Sequence, residues 1–216
     1  SVSGASNVME LLGYSFKNDV GQLRRELEEA GICFFHAPLF HPALKIVGAI
    51  RKNLGVRTFF NMLGPLVNPA QPRFQLIGVF NLEMARIYSY LLQQSQASFT
   101  IIHGLDGYDE ISLTGDTKVI TQSGEKVLTP EFLGKRMVTA QDLSGGASAE
   151  ESASIFKTIL GGKGTWAQNA VVLANAAMGL FATGKYTDYT KAYEAAVDSL
   201  DSGKANQVLQ KLLSLQ

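Results

Sequence analysis

Apolar residues recur at helical spacing in several stretches of the chain, and glycines close most of them. Val8, Met9, Leu11 and Leu12 precede Gly13; Val20, Leu23, Leu27 and Ala30 precede Gly31; Leu44, Val47, Ile50 and Leu54 precede Gly55, with Pro42 suited to that helix's first turn. A further stripe, Met84, Ile87, Leu91 and Leu92, predicts a helix over 82–94. Between these lie short apolar runs that predict strands: 32–37, bounded by Gly31 and Pro38, then 74–80 and 98–103. Strand, helix and strand in short succession predict right-handed crossovers, and so an α/β fold with a doubly wound, mainly parallel sheet. From Ile111 to Leu128 the pattern shortens around Thr114-Gly115-Asp116 and Gln122-Ser123-Gly124, which predicts an antiparallel hairpin extension of that sheet. Three C-terminal helices follow, over 149–160, 166–183 and 189–213. With no internal repeat or low-complexity linker, 1–216 reads as one domain, and ligands of such sheets bind beyond the carboxyl ends of the strands.

Composition narrows the function classes. The 216 residues are 46% apolar and 18% charged, the balance of an ordinary globular protein. Nineteen basic residues against nineteen acidic ones leave no net charge, so the chain lacks the footprint of a nucleic-acid or acidic-membrane partner. An anionic ligand must therefore be held locally. The single cysteine, Cys33, excludes an internal disulfide and sits among Ile32, Phe34 and Phe35, a setting for a structural thiol rather than a nucleophile. No apolar run reaches the roughly 20 residues of a membrane span, and residues 1–13, without a basic start followed by an apolar block, do not read as a secretory signal.

Four segments carry candidate chemistry. Ser3 to Ser6 feeds the first helix, where it serves either as a cap or, with free backbone N–H groups, as an anion site. His41 and Arg51 bracket the Pro42 helix, and the bland reading of Arg51 is a solvated helix face. The block from Arg57 to Ala70, Arg-Thr-Phe-Phe-Asn-Met-Leu-Gly-Pro-Leu-Val-Asn-Pro-Ala, reads as a short buried helix ended by Gly64-Pro65 and followed by an Asn68-Pro69 turn. After the strand at 98–103, Asp106, Asp109 and Glu110 lie within one glycine-containing loop, either an acidic turn or a place for a hard cation such as Mg²⁺. Gly161-Gly162-Lys163-Gly164-Thr165 lacks the spacing of a phosphate loop.

The Arg57–Ala70 block resembles the signature of the anthranilate phosphoribosyltransferases, of the nucleoside phosphorylase/phosphoribosyltransferase superfamily. Three further segments agree in order and spacing: Ser3-Gly4-Ala5-Ser6-Asn7-Val8-Met9-Glu10, His41-Pro42-Ala43 followed by Arg51, and His103-Gly104 through Asp109-Glu110-Ile111-Ser112. The chain departs from the family at Ala5, usually serine, and at Asn7, usually aspartate, which weakens one hydroxyl contact.

The resemblance implies transfer of a phosphoribosyl group from phosphoribosyl pyrophosphate to the amine of anthranilate, in tryptophan biosynthesis. It implies Arg51 as the contact to anthranilate, Ser1, Ser3 and Ala5 in the phosphoribosyl pyrophosphate site, His41 in support, and Asp109 and Glu110 as Mg²⁺ ligands. No residue is assigned as a catalytic base, because an aromatic amine is already a competent nucleophile. It further implies a C-terminal α/β domain whose N-terminal helical domain and first strands would precede Ser1, so the isolated chain is expected to be inactive. The full-length enzyme is expected to be a cytoplasmic homodimer formed through that helical domain, with no nucleic-acid or membrane partner. The alternatives are a pyrimidine nucleoside phosphorylase-like enzyme and a non-catalytic nucleic-acid-binding relative of the same fold.

Overall fold

The computed structural model describes residues 4–41 and 63–216. The helix expected from Pro42 to Leu54, with Arg51 on it, and the first part of the Arg57–Ala70 block lie outside the described residues, as do Ser1 and Ser3. In chain order the elements are α1 (Ala5–Leu11), α2 (Val20–Ala30), α3 (Ala37–Phe40), a 3₁₀ turn (Gly64–Val67), β1 (Phe74–Gly78), α4 (Leu82–Leu92), β2 (Ser98–Gly104), β3 (Thr117–Thr121), β4 (Gly124–Leu128), a second 3₁₀ turn (Ala140–Leu143), α5 (Ala149–Leu160), α6 (Trp166–Ala182), α7 (Tyr189–Asp201) and α8 (Lys204–Leu213). They fall into two compact units. One holds Ser1–Gln71, Gly145–Leu160 and Gly203–Gln216; the other holds Pro72–Ser144 and Gly161–Ser202.

The second unit contains a sheet of order β1-β2-β3-β4. β1 and β2 run parallel, with α4 as the crossover, while β2/β3 and β3/β4 are antiparallel. The α/β class and the antiparallel extension are as expected, and among the described residues the sheet is mixed, with one parallel pairing. One hairpin accounts for the extension: β3 turns into β4 at Gln122-Ser123, and residues 111–116 form no strand. All of β2 after Ser98 is buried. Ile102, Val119, Val171, Ala174 and Met178 belong to one apolar cluster that joins the sheet to α6. The other side of α6 meets α7, where Leu173 packs with Ala196 and Leu200, so α6 is apolar nearly all round because both flanks are covered.

Two sequence expectations change here. On α4 the buried side is Met84, Ala85, Tyr88 and Leu92, while Leu91 is exposed, a rotation of the apolar face towards the smaller Ala85. The single helix expected over 189–213 is two, α7 and α8, broken at Gly203 with φ of 76°. A left-handed residue cannot continue an α-helix, and glycine adopts it without strain.

The first unit packs α1 against α5 and α2 against α8. Its stripe on α2 also differs: Leu23, Glu26 and Ala30 are buried, whereas Val20 and Leu27 are exposed. A carboxylate is stable there because donors surround it. The Tyr14 hydroxyl donates to Glu26 Oε2 at 2.8 Å, and the amides of Gln216 and Gln22 donate to Oε1 at 3.1 and 3.4 Å. Burial first, then the bond and charge of Glu26, raise the Tyr14 pKa and keep its hydroxyl a donor.

The run at 32–37 is not a ladder strand. Residues 32–36 pair with no described neighbour, and Ala37 already opens α3. An apolar run reports burial rather than pairing, and here the burial is aromatic. Phe34 meets Tyr14 edge-on at 5.2 Å between centroids, and Phe16 lies 4.7 Å from the His36 ring. Desolvation, then the Glu26 charge, raises the Cys33 thiol, in keeping with a structural cysteine.

On the surface of this unit Glu29 accepts from Lys211 on α8 at 2.8 Å and from Arg25 at 2.7 Å, and these two cations hold its carboxyl down at about 2. The folded state therefore binds a proton less readily than the unfolded chain. Glu29's contribution to stability is complete above the ordinary value of 4.5 and is lost as pH falls towards about 2. Glu29→Gln should lower the thermal midpoint at neutral pH, with the gap to the parent closing across that window and shrinking in about 1 M salt, where the Debye length is about 3 Å. Thermal melts at stepped pH measure it; a gap constant down to pH 2 contradicts the role of the ion pairs.

Candidate active site

Because β1 and β2 are parallel and in register from Phe74↔Ser98 to Gly78↔Ile102, their carboxyl ends finish side by side. The Val79 N–H donates to the Ile102 carbonyl at 2.9 Å, and buried His103 places Nδ1 2.9 Å from the Val79 carbonyl, bracing the two ends together. Beyond them the chain turns back on itself: the Gly107 N–H donates to the Gly104 carbonyl at 2.8 Å, and the Gly104 N–H donates to the Tyr108 carbonyl at 2.8 Å. Gly107, with φ of 104°, supplies a backbone geometry that a side chain would oppose. Asp106 is a turn residue, its carboxylate receiving the Thr114 hydroxyl and lying against Gly115.

The next residues pass directly over the end of β1. A Cβ built on Gly78 would lie 1.7 Å from the Asp109 carbonyl oxygen, so only glycine lets the loop approach so closely. Ile111, Ser112 and Leu113 then plunge into the core, at 0%, 0% and 1% exposure. Their backbone needs partners away from water. Asn175 of α6 supplies two: its Oδ1 accepts from the Ile111 N–H at 3.0 Å and its Nδ2 donates to the Ile111 carbonyl at 2.9 Å. The Val138 N–H donates to the carbonyl of Leu113, which takes a positive φ of 59°.

Asp109 and Glu110 are left exposed at the strand ends. Among the described residues no cation pairs with either carboxylate. Desolvation, and then the negative charge of Asp109, raises the Glu110 carboxyl above its ordinary 4.5. Two adjacent carboxylates, with the Glu110 carboxyl partly desolvated although its residue reaches the surface, form a pair short of positive charge. Among the described residues no cluster of three or more His, Cys, Asp or Glu is suited to a metal. A closed all-protein cage is therefore absent from them, and the donor set fits Mg²⁺, which is held by one or two carboxylates together with water and substrate phosphate.

Of the other predicted site residues, Ala5 is the first residue of α1, whose N-cap Gly4 is extended and makes no side-chain cap bond. His41 closes α3; its Nε2 lies 2.9 Å from the Val67 carbonyl, which ties it to the Gly64–Val67 turn around a cavity of about 60 Å³ lined also by Phe35, Phe40 and Pro69. That contact makes His41 a brace. Gly64-Pro65 opens the 3₁₀ turn, and Asn68 Oδ1 accepts from the Ala70 N–H at 2.9 Å, the second turn expected of the signature. Arg51, Ser1 and Ser3 lie outside the described residues. The structure thus brings Asp109 and Glu110 together and adds three residues that the sequence reading had not placed there: Gly78, His103 as a brace, and Asn175. Asn175 carried a signal, since a carboxamide inside an apolar helix must find polar partners.

Residues 1–206 match the sequence profile of the glycosyl transferase family, a/b domain. The chain belongs to that family. It is 55% identical over its whole length to the anthranilate phosphoribosyltransferase of Flavobacterium johnsoniae, and 50% identical to that of Bacteroides thetaiotaomicron, in each case spanning 65% of the relative's length. Among solved structures of the glycosyl transferase family it resembles anthranilate phosphoribosyltransferase from Thermus thermophilus, with a TM-score of 0.88 and 32% identity over 97% of this chain and 63% of that one. It also resembles the Saccharomyces cerevisiae enzyme in complex with PRPP and Mg, with a TM-score of 0.90 and 26% identity over 99% of this chain and 61% of that one.

The close approach at Gly78 makes a direct prediction. Gly78→Ala should destabilise the fold by about 1–3 kcal/mol, because the overlapping atom belongs to the Asp109 backbone and no rotamer relieves the overlap. Gly179→Ala on α6, where the new Cβ would meet Leu76 Cδ2 at 3.7 Å, should instead stabilise by about 0.5–1 kcal/mol. Urea denaturation of both variants decides the matter; Gly78→Ala at parental stability contradicts the packing described.

Proposed function

We propose that this chain is the α/β part of an anthranilate phosphoribosyltransferase, which transfers the phosphoribosyl group of phosphoribosyl pyrophosphate to anthranilate and yields N-(5-phosphoribosyl)anthranilate and pyrophosphate in tryptophan biosynthesis. The observation that carries the reading is the exposed Asp109–Glu110 pair, without a cationic partner among the described residues, at the carboxyl ends of parallel strands. The identity to relatives bearing that name supports it along the whole chain.

In this reaction the bond from ribose C1 to pyrophosphate breaks, the anthranilate nitrogen bonds to C1, and the amine loses a proton. Negative charge gathers on the leaving group while the ribose becomes oxocarbenium-like. Mg²⁺, when bound, supplies neutralisation of the pyrophosphate charge. Asp109 and Glu110 hold it, Ser1, Ser3 and Ala5 help to hold the phosphoribosyl substrate, and the Arg51 guanidinium aligns the anthranilate carboxylate with two parallel hydrogen bonds, a geometry lysine lacks. His41 is assigned only a supporting role. No side chain is assigned as a general base.

Residues 1–216 constitute the C-terminal α/β domain in this reading, and a helical domain elsewhere in the full-length enzyme forms a cytoplasmic homodimer. No helix among the described residues is long and apolar enough to cross a membrane.

In the full-length enzyme, Asp109→Asn and Glu110→Gln should each raise the Mg²⁺ concentration needed for half-maximal activity, and an unchanged metal titration excludes them as ligands. Arg51→Ala should raise the KM for anthranilate far more than that for phosphoribosyl pyrophosphate, and equal effects on both remove its assigned role. Residues 1–216 alone should show little or no turnover; appreciable formation of fluorescent phosphoribosyl-anthranilate refutes that.

A further inference from the structure

We infer that Asn175 is a positioning residue for the Asp109–Glu110 pair, acting through the backbone of Ile111; the inference rests on the reading of that pair as the Mg²⁺ site. Glu110 hangs between two peptide groups, and each is fixed by a different element. The carbonyl of the Asp109–Glu110 peptide is pressed onto the bare Cα of Gly78 at the end of β1. The N–H of the Glu110–Ile111 peptide is held by Asn175 Oδ1 at 3.0 Å, and Nδ2 of the same carboxamide holds the following carbonyl at 2.9 Å. With both flanking peptides fixed, the Cα–Cβ direction of Glu110 is set and only its side-chain torsions stay free.

The carboxamide is itself held in place. Its Nδ2 also donates to the Val171 carbonyl, one turn back on α6, at 2.9 Å, so the fork cannot rotate away without losing two acceptors. A neutral side chain with one donor group and one acceptor is required, because the backbone of Ile111, a residue at 0% exposure, offers one of each. Asparagine meets that need at the reach of a single methylene; aspartate lacks the donor and leucine lacks both. None of these bonds uses an oxygen of Asp109 or Glu110. Positioning through the backbone leaves both carboxylates free for a cation, the task that outer partners perform for metal ligands in general.

The test uses the full-length protein and Mn²⁺ as the probe, with free Mn²⁺ counted by its paramagnetic resonance signal. Asn175→Ala should weaken Mn²⁺ binding by about 10-fold to 100-fold, the cost usual for an outer partner, and should speed amide hydrogen exchange at Ile111 measured without metal. Met178→Ala, one turn further along α6 in the same apolar cluster and buried at 3% exposure, serves as the control for general loss of stability. It should lower the thermal midpoint while leaving Mn²⁺ affinity within about two-fold of the parent, since it removes no clamp on a ligand-bearing peptide.

Asn175→Ala with parental Mn²⁺ affinity overturns the inference, and so does an equal loss of affinity in Met178→Ala. Should Asn175→Ala fail to fold, Ile111 exchange in the unmodified protein decides: protection equal to that of central β2 amides supports the clamp, and exchange at the rate of an open loop refutes it. Asp109→Asn combined with Glu110→Gln separates the two readings. If that variant keeps parental affinity, the metal assignment itself fails; if it loses affinity while Asn175→Ala does not, only the positioning role fails.

Discussion

A loop that dives through a core must bring hydrogen-bond partners for its own backbone, and this constraint governs the second unit. Ile111, Ser112 and Leu113 are as buried as any residues in β2, yet they belong to no ladder. Leaving one such peptide group unpaired costs roughly 1–3 kcal/mol. The protein answers with long-range partners: Asn175 for both polar groups of Ile111, and the Val138 N–H for the Leu113 carbonyl. Leu113 tolerates a left-handed backbone because its side chain gains complete burial among Ile102, Val119 and Val171. The acidic pair is exposed for the same reason, since the chain must surface immediately before it submerges.

Much of the architecture was legible in local sequence grammar. The strands expected at 74–80 and 98–103 are found at Phe74–Gly78 and Ser98–Gly104, and the helices closing on Gly13 and Gly31 follow from apolar runs and glycine stops. Asp109 and Glu110 were legible as a candidate because loops after parallel strands carry ligands. What local grammar misses is anything that depends on a partner distant in sequence. Asn175 lies 64 residues from the peptide it clamps, and Gly78 becomes indispensable only because the Asp109 carbonyl arrives on top of it. A break at Gly203 was readable in principle, but an unbroken apolar period on both sides of it hid the boundary between α7 and α8.

The misplaced stripe on α2 shows why burial cannot be inferred from hydrophobicity alone. Leu27 fits the period and is exposed, while Glu26 is fully buried. Burying that carboxylate is tolerable because Tyr14, Gln22 and Gln216 come from three different parts of the first unit and converge on its two oxygens. Period identifies a face, and the partners decide which side of that face turns inward. The run at 32–36 makes the same point for strands: its aromatic side chains pack against Tyr14 and Phe16 with no ladder among the described residues, so apolarity there specifies contact and not pairing.

The two buried-polar solutions serve opposite ends. At Glu26 both carboxylate oxygens accept hydrogen bonds from within the unit, so the buried group is already satisfied. Around Asp109 and Glu110 the donors and close contacts are spent on the backbone on either side, and the carboxylates have no described partner. A binding group has to be held and yet unsatisfied, two demands that conflict when the same atoms must meet both. Dividing them, with Gly78 and Asn175 fixing peptides while the side chains remain open, removes the conflict. That division leaves a carboxyl raised first by burial and then by the charge of Asp109 on a fixed backbone, where an incoming positive charge opposes both effects.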